Sequence, residues 1–320
     1  AIMLLLSGCT GIDLRDVTTA AGNGGEPGAA AANQRTEQIF DPNKYKGLLT
    51  IRYFDLPGTV ATGDSILIQT PDGKTMLIDA GLPEAGTKVL EYLTKLGIKK
   101  LDAALNTHPH SDHIGGFASV ASLKGIDKFY AEDLELPASK AYTNAIAMLK
   151  SKQVPIEYLK RGDTFRLGEH VTFEVLNPPA GELKGEPDPS LPAINSSSLV
   201  VKMTYKNQAF LFSGDIYRDR EERLAGLFGE RLDADFAHVP HHGSTTSSSF
   251  AYIHAISPQV AVVSNNLFTN FDTLRLYDLQ KVKVYITGVH GNILITSDGR
   301  KMNVITEKDW TAKPSFLKNQ

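Results

Sequence analysis

The sequence contains a single cysteine in 320 residues, and its charge is nearly balanced. One cysteine cannot form an internal disulfide or a cysteine-cluster metal site, so stability must come from a buried core, which a chain of this length can provide. The 33 basic and 36 acidic side chains give a net charge of −3, which argues against general coating of nucleic acid but leaves room for a local basic groove. With 42% hydrophobic residues, 27 glycines and 16 prolines, the composition excludes collagen-like and wholly disordered proteins and predicts one or two globular domains.

A short apolar run opens the chain and ends in Leu6-Ser7-Gly8-Cys9. This pattern resembles the lipobox of bacterial lipoproteins, in which small residues precede a cysteine that is lipidated and becomes N-terminal after cleavage. The run is too short to span a bilayer by itself. We therefore interpret residues 1–9 as a signal remnant and expect an extracytoplasmic protein that is lipid-anchored to the bacterial cell membrane through Cys9. An uncleaved signal remnant, or a buried cysteine in a short strand, is the alternative interpretation.

Composition divides the rest of the chain into three parts. Residues 10–45 are rich in glycine, alanine and polar side chains without apolar periodicity, which is typical of a flexible tether. From residue 46 to residue 312, short β-rich runs alternate with turn signals and helical patterns, and residues 313–320 are a short C-terminal tail. Two runs of strands, each with its own helices, predict two sheets packed face to face and covered outside by helices. The expected fold class is therefore α/β, with four αββα layers.

The most informative segment is THPHSDHIGG, which follows the predicted buried strand LDAALNT. His108 and His110 are two residues apart, so their rings point the same way in an extended segment, and Asp112 and His113 follow at once. Imidazole and carboxylate ligands together suit zinc, and manganese or iron less decisively. A solvated polar loop is the alternative, but so many metal-binding side chains beside two glycines are uncommon by chance. The segment therefore predicts a metal site.

The HxHxDH pattern after a strand resembles the signature of the metallo-β-lactamase fold. Two further motifs of that superfamily are present in the expected order: LIDAG, which contains Asp79, and SGD, which contains Asp215. More narrowly, the segments GDSILIQTPDGKTMLIDAG, SSLVVKMTYKNQAFLFSGD and DFAHVPHHGSTTSS resemble the soluble hydrolase domain of the ComEC family of DNA-uptake proteins and its stand-alone secreted relatives. The resemblance covers roughly residues 48 to 300, nearly the whole folded part.

The resemblance also implies which residues hold metal. The first two histidines of THPHSDH would bind one ion, the next aspartate and histidine would bind the other, and the aspartate of SGD would lie between them. The histidine pair of HHGS would add one more ligand. The implied ligands are His108, His110, Asp112, His113, Asp215 and His241. The implied cofactor is zinc, as one or two ions, with manganese as the alternative.

Other implied roles concern the reaction and the support of the ligands. In the HHGS segment we favour His241 as the ligand and His242 as the proton donor. Asp112 or Asp215 would orient the attacking nucleophile, so the expected catalytic residues are Asp112 and His242. Behind the ligands, the resemblance places three supporting residues: Asp79, Asn195 and Ser198.

The chain departs from the family pattern at two places. The superfamily generally has a histidine between its second and fourth motifs, but that interval contains only His170, which precedes a strand. The corresponding loop instead reads Asn195-Ser196-Ser197-Ser198, so one metal would be short of nitrogen ligands. Relatives often have Gly-His-Pro after VAVVSN, where this chain has Asn270, and His290 is the other candidate for that position. We expect weakened occupancy of one metal if these positions face the site.

The remaining polar residues have simpler interpretations. His170 and His254 are expected at the surface, and His238 is expected to pack within the strand DFAHVP. The run from Ser244 to Ser249 is expected at the start of a helix rather than on a phosphate. Gly63-Asp64 is too short to indicate a phosphate loop by itself.

The resemblance implies a secreted, membrane-tethered, metal-dependent hydrolase. The expected substrate is a phosphodiester, including nucleic acid, attacked by a metal-bound hydroxide. A cell-wall phosphocholine esterase or a lactonase of the same fold is one alternative, and a non-catalytic binding module with a depleted metal site is another. The expected partners are this substrate and the membrane, through the lipid on Cys9, whereas the sequence identifies no protein partner.

Overall fold

Two β-sheets packed face to face form the centre of the molecule. The structure, a computed structural model, describes residues 27–186 and 188–311 together with Pro314 and Leu317. Cys9 and the predicted lipobox lie outside the described residues. Within the described part of the chain, no helix is both long enough and apolar enough to cross a membrane.

Seventeen strands are assigned within the described residues. They are β1 (Leu49–Tyr53), β2 (Ile66–Gln69), β3 (Thr75–Ile78), β4 (Lys100–Leu101), β5 (Ala103–Leu105), β6 (Gly125–Ile126), β7 (Phe129–Glu132), β8 (Ile156–Leu159), β9 (Thr164–Leu167), β10 (Val171–Asn177), β11 (Val200–Tyr205), β12 (Gln208–Phe212), β13 (Phe236–His238), β14 (Val260–Val263), β15 (Lys283–Ile286), β16 (Ile293–Ser297) and β17 (Met302–Thr306).

Ten α-helices accompany these strands in the same part of the chain. They are α1 (Pro27–Ile39), α2 (Gly86–Lys95), α3 (Ser111–Ile114), α4 (Phe117–Leu123), α5 (Lys140–Ser151), α6 (Leu191–Ser196), α7 (Arg218–Phe228), α8 (Phe250–Ile256), α9 (Phe271–Leu279) and α10 (Thr287–His290).

Each of the two central sheets combines antiparallel and parallel strands, whereas β4 and β6 form a separate parallel pair. The first sheet has the order β17-β16-β1-β2-β3-β5-β7-β8, and the second has the order β15-β14-β13-β12-β11-β10-β9. Strands β1 to β3 form an antiparallel meander, and β3, β5, β7 and β8 are parallel. In the second sheet β9 to β12 are antiparallel and β12 to β15 are parallel. The loops after parallel neighbours therefore emerge at the same edge of each sheet.

The predicted four-layer arrangement is confirmed. Apolar side chains from both sheets meet in one buried cluster that includes Ile51, Phe173 and Phe236. Helices cover the two outer faces through separate clusters. In α2, for example, Val89 and Leu93 are four residues apart and therefore lie on one face of the helix, which is buried against the first sheet.

The structure differs from the sequence prediction at both ends of the folded part. Residues 10–45 were expected to be a tether, but from Pro27 the chain forms α1, and Ile39 and Phe40 are buried in the outer core of the first sheet. Alanine-rich sequence favours helix, and two apolar side chains at its end suffice to dock it. In the predicted tail, Leu317 is buried against the outer face of the second sheet.

Candidate metal centre

The predicted metal-binding motifs converge at one end of the two sheets. Asp79 directly follows β3, the segment THPHSDH begins two residues after β5, and Asp215 lies just beyond β12. His241 and His242 come shortly after β13. Because β3 and β5 are parallel neighbours in one sheet and β12 and β13 are parallel neighbours in the other, their carboxyl ends bring distant parts of the chain together.

The carboxylate of Asp215 occupies the centre of this group. Its Oδ2 lies within 3.9 Å of the Nε2 atoms of four histidines. The distances are 3.2 Å to His113, 3.4 Å to His242, 3.8 Å to His108 and 3.9 Å to His241. Its Oδ1 is buried without a hydrogen-bond partner among the described residues. A carboxylate surrounded by imidazole nitrogens in this way is suited to bridging two cations.

On one side of Asp215 lie Asp112, His113 and His242. The Nε2 of His242 is 3.3 Å from Oδ2 of Asp112, and the Nε2 of His113 is 3.8 Å from the same oxygen. The side chain of Asp112 is 26% exposed, so this side of the group opens to solvent. These side chains form one half of the site, which we call the Asp112 half.

On the other side of Asp215 lie His108, His110 and His241, which form the His108 half. The Nε2 of His108 is 3.0 Å from Nδ1 of His110. Nδ2 of Asn195 lies 3.3 Å from Nε2 of His241. The amide of Asn195 thus stands on the side where the family pattern would place a histidine, and the ring of His241 reaches the same place from another loop.

Hydrogen bonds fix which nitrogen of each ring faces inward. Nδ1 of His113 is 2.9 Å from Oδ2 of Asp79, and Nδ1 of His242 is 3.0 Å from the carbonyl oxygen of Ser264. Both oxygens can only accept, so each Nδ1 carries the proton. The two Nε2 atoms, which face Asp112 and Asp215, have no hydrogen-bond partner among the described residues. A cation between these nitrogens and carboxylates would satisfy all of them, so the residues present fit a metal.

The charges of the site are consistent with this fit. Burial by itself lowers the pKa of His113 and His242, but the carboxylates around them, with Asp215 foremost, together outweigh burial and raise the pKa of both rings well above the ordinary value. Burial lowers the pKa of His108, of His110 and of His241, so these rings are neutral and ready to bind metal. Without metal, protons balance the carboxylates, and metal binding would displace them.

The donor atoms identify the class of metal. Asp64, His113, Asp215 and His242 each bring one ligand-type atom to within 4.8 Å of the others. Mixed imidazole and carboxylate donors, without thiolates, suit zinc and accommodate manganese.

Two buried residues of the site, Asp64 and His238, were missed by the sequence analysis. Oδ2 of Asp64 lies 3.1 Å from Nε2 of His238, and Oδ1 lies 3.2 Å from Nδ1 of His242. Asp64 thus contacts the outward nitrogen of His242, whereas Asp112 and Asp215 face the inward one. Gly63 is required beside it, because a Cβ at Gly63 would lie 1.7 Å from the carbonyl oxygen of Asp112. The segment Gly63-Asp64 is therefore a support for the ligand loop.

The geometry differs from the expected division of roles within the histidine pair. His241 was expected as the ligand and His242 as the proton donor, but His242 is the ring whose Nε2 is closer to Asp112 and Asp215. The cause is the backbone: both residues adopt left-handed conformations, with φ of 49° and 53°, which turns the rings toward different halves of the site.

The remaining candidates are placed as follows. Ser198 accepts a hydrogen bond from the backbone N–H of Asp215 at 3.2 Å, as a supporting residue would. Asn270 donates to the carbonyl oxygen of Gly243 at 2.7 Å, so it holds the histidine loop and does not replace a ligand. His290 is buried beside Tyr285 and Trp310, where its Nδ1 accepts from the backbone N–H of Ile286, so the suggestion that it fills the ligand position is wrong.

The simpler interpretations of other residues are largely confirmed. His170 and His254 are exposed. Ser249 caps α8 by accepting a hydrogen bond from the N–H of Tyr252, as expected for the serine run. His238 is buried in its strand as predicted, but its contact with Asp64 was not foreseen.

Comparison with known proteins agrees with the motifs. The model of the Metallo-beta-lactamase superfamily matches residues 58–265. ComE operon protein 3 of Bacillus subtilis is 28% identical over 256 residues, which are 73% of this chain and 32% of that protein. Competence protein ComA of Neisseria gonorrhoeae is 29% identical over 204 residues, 63% of this chain and 26% of that protein.

A shorter match is to Exodeoxyribonuclease WalJ of Streptococcus pneumoniae, which is 39% identical over 74 residues, 22% of this chain and 26% of that protein. The chain therefore spans about a third or less of the length of each of these relatives. The family match covers most strands of the two sheets and every candidate ligand, and the chain belongs to the metallo-β-lactamase superfamily.

Proposed function

We propose that the protein is a metal-dependent hydrolase that cleaves phosphodiester bonds. The observation that carries the proposal is the carboxylate of Asp215, which lies between two groups of inward-facing ligand atoms. The Asp112 half would hold one cation and the His108 half the other, with Asp215 shared. When bound, such a pair of cations polarises a phosphoryl oxygen and lowers the pKa of a water molecule toward neutrality.

The chain's own residues would align the reacting groups. The side chain of Asp112 is partly exposed, at 26%, so we propose that it also orients a water molecule beside the substrate. His242 contacts Asp64 and the Ser264 carbonyl through Nδ1, which leaves its Nε2 to bind metal. We therefore propose His242 as a ligand in place of its expected role as proton donor.

The support for a phosphodiester substrate comes from what the relatives are named. One relative that matches a fifth of the chain is named as an exodeoxyribonuclease, and two longer matches are competence proteins. Nucleic acid is accordingly the polymer we propose to test first.

Purified protein would be examined by elemental analysis and assayed with bis-p-nitrophenyl phosphate, single-stranded DNA and nitrocefin. We expect two zinc or manganese ions per chain, hydrolysis of both phosphodiesters and none of nitrocefin. Asp112→Ala should abolish the hydrolysis, and His254→Ala, an exposed histidine remote from the motifs, is the matched control. Two tightly held ions without turnover of either phosphodiester would refute the proposed substrate class, and one inert ion would support a binding module.

We also propose that a lipid on Cys9 tethers the protein outside the cytoplasm. The support is the LSGC sequence followed by a polar, glycine-rich stretch. Cys9→Ala should move the protein from the membrane fraction to the soluble fraction, because the acyl chains would be its anchor. Retention of Cys9→Ala in salt-washed membranes would refute the tether.

A further inference from the structure

Arg52 is a buried cation that forms no salt bridge with any acidic side chain among the described residues. It lies in β1 and is only 2% exposed. Its Nε donates to the carbonyl oxygen of Ile39 at 2.7 Å, and its Nη1 donates to Oγ1 of Thr50 at 2.9 Å and to Oε1 of Gln69 at 2.6 Å. All three acceptors are neutral, and no carboxylate among the described residues forms an ion pair with the guanidinium. Burial lowers the pKa of Arg52 only to about 10, so the group stays charged at neutral pH.

A cavity of about 200 Å³ lies beside this guanidinium. Tyr45 lines it, and the buried hydroxyl of Tyr45 has no hydrogen-bond partner among the described residues. The Nη2 of Arg52 also makes no hydrogen bond within the described part of the chain, but it is accessible to solvent. Lys46 lies at the rim and is exposed. Asp41 is the one carboxylate in the lining. Its Oδ1 accepts the backbone N–H groups of Asn43 and Lys44, and its charge raises the pKa of Arg52 without a salt bridge between the two side chains.

We propose that this cavity binds a small oxyanion of the phosphate class. A buried guanidinium without a carboxylate partner is costly, and a buried phenol hydroxyl without an acceptor adds to that cost. An anion bound between Arg52 and Tyr45 would stabilise both groups. Arginine presents planar donors that match the oxygens of phosphate, and the lysine at the rim adds attraction. The volume is sufficient for a phosphate group.

The cavity is separate from the metal centre. Thr50 and Gln69 pair at one end of β1 and β2, whereas Tyr53 and Ile66 pair at the other end, which adjoins Asp64. Arg52 also points to the outer, helix-covered face of the first sheet, since its neighbours Ile51 and Tyr53 belong to the core between the sheets. The anion bound here is therefore not the group that the metal centre would cleave.

The test is calorimetric titration of inorganic phosphate at constant ionic strength. It uses the parent protein, and the Tyr45 and Arg52 variants distinguish phosphate bound in this cavity from any bound at the metal centre, because both residues lie away from the metal ligands. We expect saturable binding of one phosphate. Tyr45→Phe should weaken it roughly tenfold, the loss for one hydrogen bond to a charged group, and Arg52→Gln should abolish it. Tyr158→Phe, on the distant strand β8, is the matched control.

Tyr45→Phe removes a single oxygen, so it tests the proposal even if Arg52→Gln does not fold. Titration with glycerol 1-phosphate beside inorganic phosphate distinguishes the two sources of the anion. Tighter binding of the ester indicates a phosphate group on a larger molecule, and tighter binding of inorganic phosphate indicates the free ion. Absence of saturable phosphate binding, or equal affinity with and without Tyr45→Phe and Arg52→Gln, would overturn the proposal.

Discussion

At the scale of single residues, the adjacent His241 and His242 serve different halves of the site. The left-handed backbone at both positions sends one ring toward Asn195 and the other toward Asp112. This chain lacks the histidine that the family pattern places at the Asn195 loop, and His241 brings a nitrogen to the same place from a different loop. The site therefore need not be as depleted as the sequence alone suggests.

Because His241 and His242 belong to different halves of the site, we predict that His241→Gln and His242→Gln each reduce bound metal from two ions to about one per chain. The retained ion should differ, because His241 belongs to the His108 half and His242 to the Asp112 half. Elemental analysis after gel filtration measures the loss, and His254→Gln is the control. If His241→Gln retains both ions, then His241 is not a ligand and the expected vacancy at Asn195 is real.

Asp64 is predicted to act on the metal through His242. Asp64→Asn keeps the volume but removes the negative charge from beside Nδ1 of His242, and losses of such supporting carboxylates commonly lower metal affinity by 10- to 100-fold. Calorimetric titration of zinc into metal-free protein should show this loss. Ser65→Ala, at the adjacent buried position, should bind zinc as the parent does. Equal affinity in Asp64→Asn would mean that the Ser264 carbonyl alone holds the ring.

The contrast between these residues shows what the sequence could predict. His108, His110, Asp112 and His113 lie within one short segment, so their joint role is visible in the sequence. Asp64 gives no such signal, because its partners lie in β13 and in the loop after it, in the other sheet, and only the packing of the two sheets brings them together.

At the scale of elements, Glu221 joins two helices that hold the second sheet. It lies in α7 and accepts the backbone N–H groups of Ser248 at 2.6 Å and Ser249 at 2.5 Å, at the start of α8. Burial raises the pKa of Glu221 to about 7, although these N–H groups and Arg218 oppose the shift. Tyr252 and Tyr277 are the other titratable groups close to this carboxyl, and both remain neutral across the pH range that follows.

The raised pKa predicts that stability falls as pH rises from about 4.5 to 7. In this window the folded protein keeps a proton on Glu221 that the unfolded chain has already lost. The contribution of Glu221 to the free energy of unfolding is therefore complete below its pKa in the unfolded chain. That contribution disappears as the pH rises through its pKa in the folded protein. The loss reaches about 3 kcal/mol. Urea denaturation at several pH values should show a smaller decline in Glu221→Gln, while Glu222→Gln, the exposed neighbour, should follow the parent. Parallel curves for parent and Glu221→Gln would contradict the shift.

At the scale of the whole molecule, the hydrophobic periodicity and the order of the motifs predicted the four layers, but not where the folded domain begins and ends. The strands alternate with turn signals strongly enough to predict two sheets, and their parallel halves explain why the ligands meet at one edge. The segment before β1 carries too little apolar sequence to predict docking. Its helix is fixed by tertiary contacts: Arg35 pairs with Asp309, and Thr36 bonds to Glu307 at 2.6 Å.

Phe40 is the most informative position for testing whether this segment belongs to the folded unit. Its ring stacks on Tyr92 with centroids 4.9 Å apart and also contacts Phe54, so it joins the end of α1 to α2 and to the residue that follows β1. Phe40→Ala should lower the free energy of unfolding by about 3–5 kcal/mol, the usual cost of removing a buried phenylalanine side chain. Metal content should not change, because Phe40 packs on the outer face of the first sheet, away from the ligands. Denaturant unfolding measures the effect, and Glu37→Ala, an exposed residue of the same helix, is the control. A tether would tolerate both substitutions equally, so equal stability of the two variants would place the boundary of the folded unit after residue 45.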